Sequence, residues 1–526
     1  MYGRELLLLA DTDRPFEFDD TLFEAAAQSV YDNRGFMPTQ LSNPEVRAVI
    51  AETQSVLQKA ISSKLPHEVP DTIRYALENN AFVFSGFKTF HALREVGLSL
   101  LTDKGDIKPF NDFLGDVREI NERYNHNYLY AEYNHAVSSA QMAAKWHDIE
   151  QDGDRYDLQY RTAGDDKVRE EHAALNGTTL PPSDPFWGMF LPPNGWNCRC
   201  TTVQVRKNKY PLSDPATAMK LGEECTGGKK GSMFRYNAGK LLLLFPPKHP
   251  YYKVPQEAKQ AIEQVTEEAI REKRIQTLRE QLSDMLSEAE KDAIAENNYE
   301  LEQALGIVAG KPMTVEDADK QSANPKHKLQ YIPHPNGAYR DKAGNRYTKN
   351  PDYKSSDEQY NINCATCAPA YALRLLGFDV KAKGRVAGSG SLNDSVAHNR
   401  SFEMWKNIDG TPAIPVLTLE WMTRKGYRQM SEKRYREYFE ECCKETGVYV
   451  LTIGWKGGGG HATILQRFED GSLCYIEPQE FDMTKGAKRD LDELCSKGTV
   501  NPFYKRGVLR VDNKLFDVSF VSLFDK

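Results

Sequence analysis

The stretch INCATCAPAYALRLLGFDV, Ile362 to Val380, sets two cysteines three residues apart just before an apolar run. Four chemistries use such a pair: half of a zinc site, a redox couple, a disulfide arm, or a nucleophile at a helix start. Tyr371, Leu373, Leu375, Leu376 and Phe378 have helical apolar spacing, and Gly377 suits the C′ position that closes a helix. Proline is tolerated in a first turn, so Pro369 predicts a helix from about Thr366 to Leu376, capped by Thr366 and followed by a strand through FDVKAKG. A helix N-terminus and a nearby imidazole both lower a thiol's pKa, and the thiolate is the form that attacks carbonyls.

The imidazole is sought in GGGGHATILQRFEDGSLCYIEPQ, Gly457 to Gln479. HATILQRF alternates as a strand, and SLCYIEPQ can pair with it. With a three-residue turn, Glu469-Asp470-Gly471, Phe468 faces Ser472 and Glu477 falls opposite Thr463, on the face of His461 and one diagonal step away. A two-residue Asp470-Gly471 turn would move Glu477 to the other face. The glycines of WKGGGG, Trp455 to Gly460, are expected to let a substrate backbone approach.

A cysteine, a histidine opening a strand and a carboxylate or amide on the next strand make the layout of papain-like enzymes. The candidate catalytic residues are Cys364 or Cys367 as nucleophile, His461 as base, Glu477 to orient it, and Gln479 beside the backbone N–H groups of the helix start for the oxyanion. Zinc would need two more ligands, and Cys442, Cys443, Cys474 and Cys495 form no second Cys-x-x-Cys. Arg374 is read as a structural ion-pair donor.

Together, NCATCAPAYALRLLGFDVKAKG and GHATILQRFEDGSLCYIEPQ resemble the papain-fold toxin domains found at the C-termini of polymorphic toxins and of some Mu F-like phage proteins. Asn363, Cys364, Cys367, Ala370, Tyr371, Arg374, Gly377, Asp379, Val380, Gly460, His461, Pro478 and Gln479 carry the likeness, over residues 355 to about 485. Phe378 stands for a tyrosine and Glu477 for the family's aspartate. The resemblance implies an α+β domain with a cofactor-free thiol hydrolase, a peptidase or glutamine deamidase acting on a protein substrate. It favours Cys364 beside Asn363 as nucleophile, whereas the Pro369 argument favours Cys367.

Upstream, YRTAGDDKVREEHAALNGTTLPPSDPFWGMFLPPNGWNCRC spans Tyr160 to Cys200. His172, Cys198 and Cys200 could supply three zinc ligands and Asp166 a fourth, but Cys-x-Cys lacks the usual gap of structural zinc pairs. The expectation is therefore a metal-free loop in which Arg169 pairs with Asp166 and the Pro-Pro-x-Gly-Trp segment packs on the helix. Thr162, Asp166, Arg169, His172, Gly177, Pro192, Pro193, Gly195, Trp196, Cys198, Arg199 and Cys200 resemble the motifs of the phage Mu F-like head morphogenesis family, minor capsid proteins of tailed phages, over roughly residues 70 to 205. That resemblance implies portal and other head proteins as partners, a place in the virion head, and host cytoplasm during assembly or after delivery. Nucleic acid would be met only through the packaged genome.

The chain as a whole agrees with a multidomain protein. Its 526 residues exceed one core, and 40% hydrophobic with 27% charged residues is ordinary for a globular chain. A formal charge of -7 gives no global field toward nucleic acid or anionic lipid. The apolar runs Leu6–Ala10 and KLLLLFPP, Lys240 to Pro247, are too short for an export signal or a membrane span, and nine cysteines do not form a secreted disulfide pattern. Reduced, intracellular chemistry is expected.

The expected organisation is a mostly α and α+β module over residues 1–253 (helical over 1–150, motif-bearing over 151–205), a helical spacer over 254–309, a linker over 310–355 and the papain-like domain over 356–526. Tyr124, Tyr128, Tyr130 and Tyr133 are expected to pack between helices. The spacer reads as one long helix from Pro255 to Leu305, its apolar spacing slipping between Ala269 and Ile275. Two functional classes follow: a head protein carrying an active cysteine hydrolase, or a structural head protein whose C-terminal domain is inert or binds.

Overall fold

The computed structural model describes residues 14–66, 68–319, 322–341, 344–398, 400–480, 486–502 and 505–526; the apolar run Leu6–Ala10 lies outside them. The chain forms two compact units, Met1–Glu272 and Lys273–Lys526. Among the described residues no helix is long and apolar enough to cross a membrane.

The first unit is built on five helices, α1 (Asp20–Asp32), α2 (Pro44–Lys64), α3 (Asp71–Leu98), α4 (Phe110–Asn121) and α5 (Leu129–Asp152), with a π-helical stretch, Glu122–Tyr128, between the last two. The Asp19 carboxylate caps α1 by accepting the Thr21 N–H at 3.0 Å. From α1, Phe23, Ala26, Ala27 and Val30 fall on one buried stripe and pack with Val49, Ile50 and Leu57 of α2. Tyr124 and Tyr133 are buried in the same core, with Tyr128 and Tyr130 partly buried against it, as the helical spacing anticipates. Lys88 of α3 is wholly buried and donates to Glu132 at 2.7 Å and to the Tyr124 carbonyl at 2.5 Å. Burial pulls this amine's pKa down, and the Glu132 carboxylate opposes that pull.

After α5 come β1 (Tyr156–Arg161), the short α6 (Glu170–Ala173), β2 (Thr179–Leu180) and β3 (Thr201–Arg206), with the strands antiparallel in the order β2-β1-β3.

The boundary between the units falls inside α7 (Gln256–Glu280), and the expected single spacer helix is in fact two, α7 and α8 (Glu288–Leu305). The break has a local cause: Ser287 and Glu290 form a reciprocal capping box that starts α8 afresh. Arg274 and Glu302 hold the two together through a buried ion pair, Nε to Oε2 at 3.0 Å. The segment 310–355, expected as a linker, lies within the second unit. It contains a small antiparallel sheet of Tyr331–Pro333, Arg346–Lys349 and Tyr339–Arg340.

The second unit's main sheet has β4 (Val416–Leu417), β5 (Gly447–Gly454), β6 (Gly460–Arg467), β7 (Leu473–Ile476), β8 (Lys488–Arg489) and β9 (Gly507–Arg510), all antiparallel in the order β8-β7-β6-β5-β9-β4. One face, with Val450, Ala462, Ile464 and Ile476, shares a core with α9 (Cys364–Leu375). The other, with Leu451, Ile453, Leu465 and Tyr475, shares one with α10 (Thr418–Arg424), α11 (Glu432–Cys442) and α12 (Leu491–Lys497). The strand expected through FDVKAKG is only Lys381–Ala382, paired with Phe524–Asp525.

The buried Lys88–Glu132 pair makes the first prediction. Glu132→Ala leaves an ammonium in an apolar core and should destabilise the first unit by about 3–5 kcal/mol. The paired replacement Lys88→Met with Glu132→Leu should recover most of that loss. Calorimetric unfolding of the three proteins checks it; a single variant melting with the parent would remove the pair from the account of stability.

Candidate active site

Helix α9 begins at Cys364, with Asn363 as N-cap, and not at Thr366 as Pro369 suggested. The Asn363 carbonyl accepts the N–H groups of Thr366 at 2.8 Å and Cys367 at 3.0 Å, while the Thr366 hydroxyl is buried without a partner among the described residues. Pro369 thus sits inside the helix and costs it one backbone bond, which the burial of nearly the whole helix offsets. The other end matches expectation. Gly377, at φ 99°, is the C′ residue, and Phe378 N–H returns to the Leu373 carbonyl at 3.0 Å. Arg374 is buried and reaches Asp379 at 3.3 Å, the structural ion pair expected of it.

Cys364 therefore stands at the first helical position, where N–H groups lack intrahelical partners. The His461 imidazole and the Ala462 N–H stand near its sulfur and draw the thiol's pKa down. Cys367, one turn on, is fully buried, and burial pushes its thiol well up, with Cys364 and Glu477 adding to the rise.

His461 lies next to the start of β6, paired with Ile453 of β5. The β6–β7 hairpin has the three-residue turn: Gly471 takes φ 81°, Phe468 N–H meets the Ser472 carbonyl at 2.9 Å, and Ile464 pairs with Ile476. That register sets Glu477 on the face of His461, with Oε2 2.7 Å from the imidazole Nε2. The same oxygen accepts the Tyr475 hydroxyl at 3.2 Å, and Oε1 accepts the Gln479 N–H at 3.1 Å. The Gln479 Nε2 donates to Asn363 Oδ1 at 3.2 Å, so Gln479 ties the carboxylate to the helix start while it also lines the cavity beside Cys364. Asn324 completes the tether, with Nδ2 3.3 Å from Asn363 Oδ1 and 3.2 Å from the Gln479 carbonyl.

Burial pushes the Cys364 thiol up, but the adjoining imidazole and the Ala462 N–H outweigh it, so the thiol lies below its usual range. For His461 burial pulls down, and the bonds to Cys364 and Glu477 prevail, raising the imidazole to about 10. Burial raises the Glu477 carboxyl and the imidazole more than reverses it, leaving it low. The Trp455 ring stacks on the imidazole, centroids 5.3 Å apart at 26°. A cavity of about 600 Å³ opens beside Cys364, His461, Trp455 and Glu477. The space at Gly460, expected to admit substrate, is occupied by the half-buried Arg506 guanidinium, 2.2 Å from where a Cβ would stand. Arg506 interacts electrostatically with Cys364. Asn324 and Arg506 carry no sequence signal; Tyr475 could have been found from strand alternation, two residues before Glu477 on the same face.

In the first unit the structure also gathers His172, Cys198 and Cys200, all buried, with ligand atoms within 4.8 Å of one another. His172 Nδ1 is 3.5 Å from each sulfur. Asp166 is exposed and stands outside the cluster. The expected Arg169–Asp166 pair is replaced by a bidentate one, Arg199 to Asp165 at 2.5 and 2.6 Å. Arg169 instead donates to the Trp196 carbonyl at 3.3 Å and lies over Gly195, where a Cβ would come within 2.9 Å of it. A cavity of about 440 Å³, lined also by Cys225, Asn194 and Lys230, adjoins the three ligands.

Residues 110–203 match the family described as Phage Mu protein F like protein. Over 111 residues the chain is 31% identical to a protein of Escherichia phage Mu described as capsid assembly protein F, covering 20% of this chain and 25% of that protein. The chain thus spans about a quarter of the length of the curated relative it matches. No solved structure matches it. The matched segment, from α4 to within β3, is Mu F-like; it includes the His172–Cys198–Cys200 cluster and leaves the second unit outside.

Proposed function

We propose that this is a phage head-assembly protein whose second unit is a papain-like cysteine enzyme acting by acyl transfer on protein carbonyl or carboxamide groups. The Mu F-like match supports the first half, with portal and other head proteins as partners and the virion head as its place. The observation that carries the second half is the gathering of Cys364, His461 and Glu477 around one cavity, with the imidazole bonded to the carboxylate at 2.7 Å, the thiol shifted down and the imidazole shifted up. The likeness of Asn363-Cys364-x-x-Cys367 and Gly460-His461 to papain-fold toxin domains points the same way.

The roles follow from position. The Cys364 thiolate adds to the carbonyl carbon, and the displaced electron pair becomes an oxyanion within reach of unpartnered N–H groups at the start of α9. The His461 imidazolium passes its proton to the leaving nitrogen as the C–N bond breaks, giving a thioester and a neutral amine or ammonia. His461 then takes a proton from water, the resulting hydroxide displaces the thiolate, and the thiolate–imidazolium pair is restored. Glu477 holds the ring through Nε2 and stabilises its positive state; Tyr475 and Gln479 hold Glu477. Peptide cleavage, glutamine deamidation and transamidation share this thioester and differ in which amine leaves and which nucleophile arrives.

Limited iodoacetamide treatment of the full reduced chain at neutral pH, followed by peptide mapping, tests the reading. Cys364 should be alkylated first and Cys367 should stay unmodified, and His461→Ala should slow Cys364 by about tenfold or more. A Cys364 that reacts as an ordinary thiol of pKa ~8.5, indifferent to His461→Ala, would leave a structural head protein with an inert or binding domain.

The pH dependence gives a second measurement. A lowered thiol pKa keeps the alkylation rate level as pH falls below ~8.5, with loss only on passing through the folded value. A raised imidazole pKa means that His461 pairing contributes stability fully below its unfolded pKa of ~6.5, and that this contribution fades as pH rises through about 10. In histidine-labelled protein the His461 ring signal should stay in its protonated position through neutral pH, and Glu477→Gln should move its titration downward. Titration near 6.5 in the parent chain would contradict the proposed ion pair.

A further inference from the structure

We infer that the first unit binds a zinc ion on His172 Nδ1 and the thiolates of Cys198 and Cys200, with a solvent molecule from the adjoining cavity as fourth ligand. The distances carry the argument. With Zn–S bonds of about 2.3 Å and Zn–N of about 2.0–2.1 Å, the nitrogen–sulfur edge of a tetrahedron is about 3.6 Å. Both sulfurs lie 3.5 Å from Nδ1, and the three ligand atoms fall within 4.8 Å of one another.

Without an ion the imidazole can serve only one of the two thiols. A neutral imidazole nitrogen offers one lone pair, so only one of two thiols equally close to it can donate there. A divalent ion is satisfied by all three ligands at once. Binding releases the two thiol protons to solvent and leaves the imidazole neutral. Two thiolates and Zn²⁺ then sum to zero charge, which suits three side chains that are all buried.

Cys-x-Cys, which the sequence weighed against zinc, works here because the chain entering β3 is extended. Residues two apart share a face, so Cys198 and Cys200 turn inward while Arg199 turns out to Asp165. Asn197 takes φ 56°, a value asparagine tolerates better than most residues, just before the first ligand. The Tyr160 hydroxyl, which donates to Asn194 Oδ1 at 2.9 Å, lies near Cys200 and supports the site from outside the ligand set. The ion would clamp α6 to the chain entering β3, adding to the Arg199–Asp165 ion pair and the Arg169–Trp196 hydrogen bond that already join the two segments.

The full chain, reduced and stripped of metal by mild chelation, is titrated with Co²⁺ and in parallel with Zn²⁺. The expected result is uptake of about one ion per chain, with a thiolate-to-cobalt charge-transfer band and the visible bands of tetrahedral coordination, bleached by zinc. Cys198→Ser with Cys200→Ser should abolish the band, while Cys364→Ser with Cys367→Ser should retain it. Should the double variant fold poorly, the parent's spectrum still decides. Absence of the charge-transfer band in the reduced parent chain, or its survival without Cys198 and Cys200, overturns the inference.

Discussion

His461 Nε2 and Glu477 Oε2 lie 2.7 Å apart because β6 and β7 pair with Ile464 opposite Ile476. Strand side chains alternate with a period of two, so this register sets Glu477 opposite Thr463 on the face that carries His461. A slip of one residue would drive the carboxylate toward the apolar core shared with α9 and lift Ile476 out of it. Burying an unpaired carboxylate there costs several kcal/mol at least. Core packing and the left-handed Gly471 thus favour the same register, and the site inherits its geometry from the packing of the sheet.

The three groups are nearly withdrawn from water, and burial alone would push the thiol and carboxyl up and the imidazole down. Each is shifted the other way, so each charge persists because its neighbours hold it. Arg506, with no ion-pair partner among the described residues, sets a guanidinium at Gly460 and adds a positive charge to the surroundings of Cys364. Of the glycine run, only Gly460 has the tip of Arg506 against it, while nothing among the described residues lies within 4 Å of where a Cβ would stand at Gly457, Gly458 or Gly459.

Much of this was legible in the sequence where one local rule governs. Alternation and the Asp-Gly turn located the hairpin and allowed the register that the structure adopts, and Gly377 marked the end of α9. The start of α9 was misplaced by two residues because a helix can bear a proline past its first turn when its faces are buried. The long spacer helix failed where Ser287 and Glu290 could build a capping box that apolar spacing alone overlooks. Asn324 and Asp319 come from a segment read as linker, since a polar loop packed by hydrogen bonds has no periodicity to betray it. Asp319 nonetheless accepts the Tyr371 hydroxyl at 2.9 Å and the Ala487 N–H at 2.9 Å. Burial separates Cys364, which is partly exposed, from Cys367, which is buried, and three residues of spacing do not encode that difference.

Burial sorts the cysteines that lack an imidazole partner. It pushes Cys225, Cys442 and Cys495 up to about 12, and Cys367 and Cys443 rise well above the ordinary range. Such thiols behave as small apolar side chains. Cys364, Cys198 and Cys200 differ in having a histidine near the sulfur, and what stands on the far side of that histidine separates their chemistry. Glu477 behind His461 fixes the ring and favours its charged form, which suits proton transfer to and from one thiol. His172 meets two thiols through the same nitrogen, and the clustered metal-ligating groups there include no carboxylate. With no carboxylate behind the ring to orient it for proton transfer, two sulfurs converging on one nitrogen suit the proposed shared ion better than a nucleophile and its base.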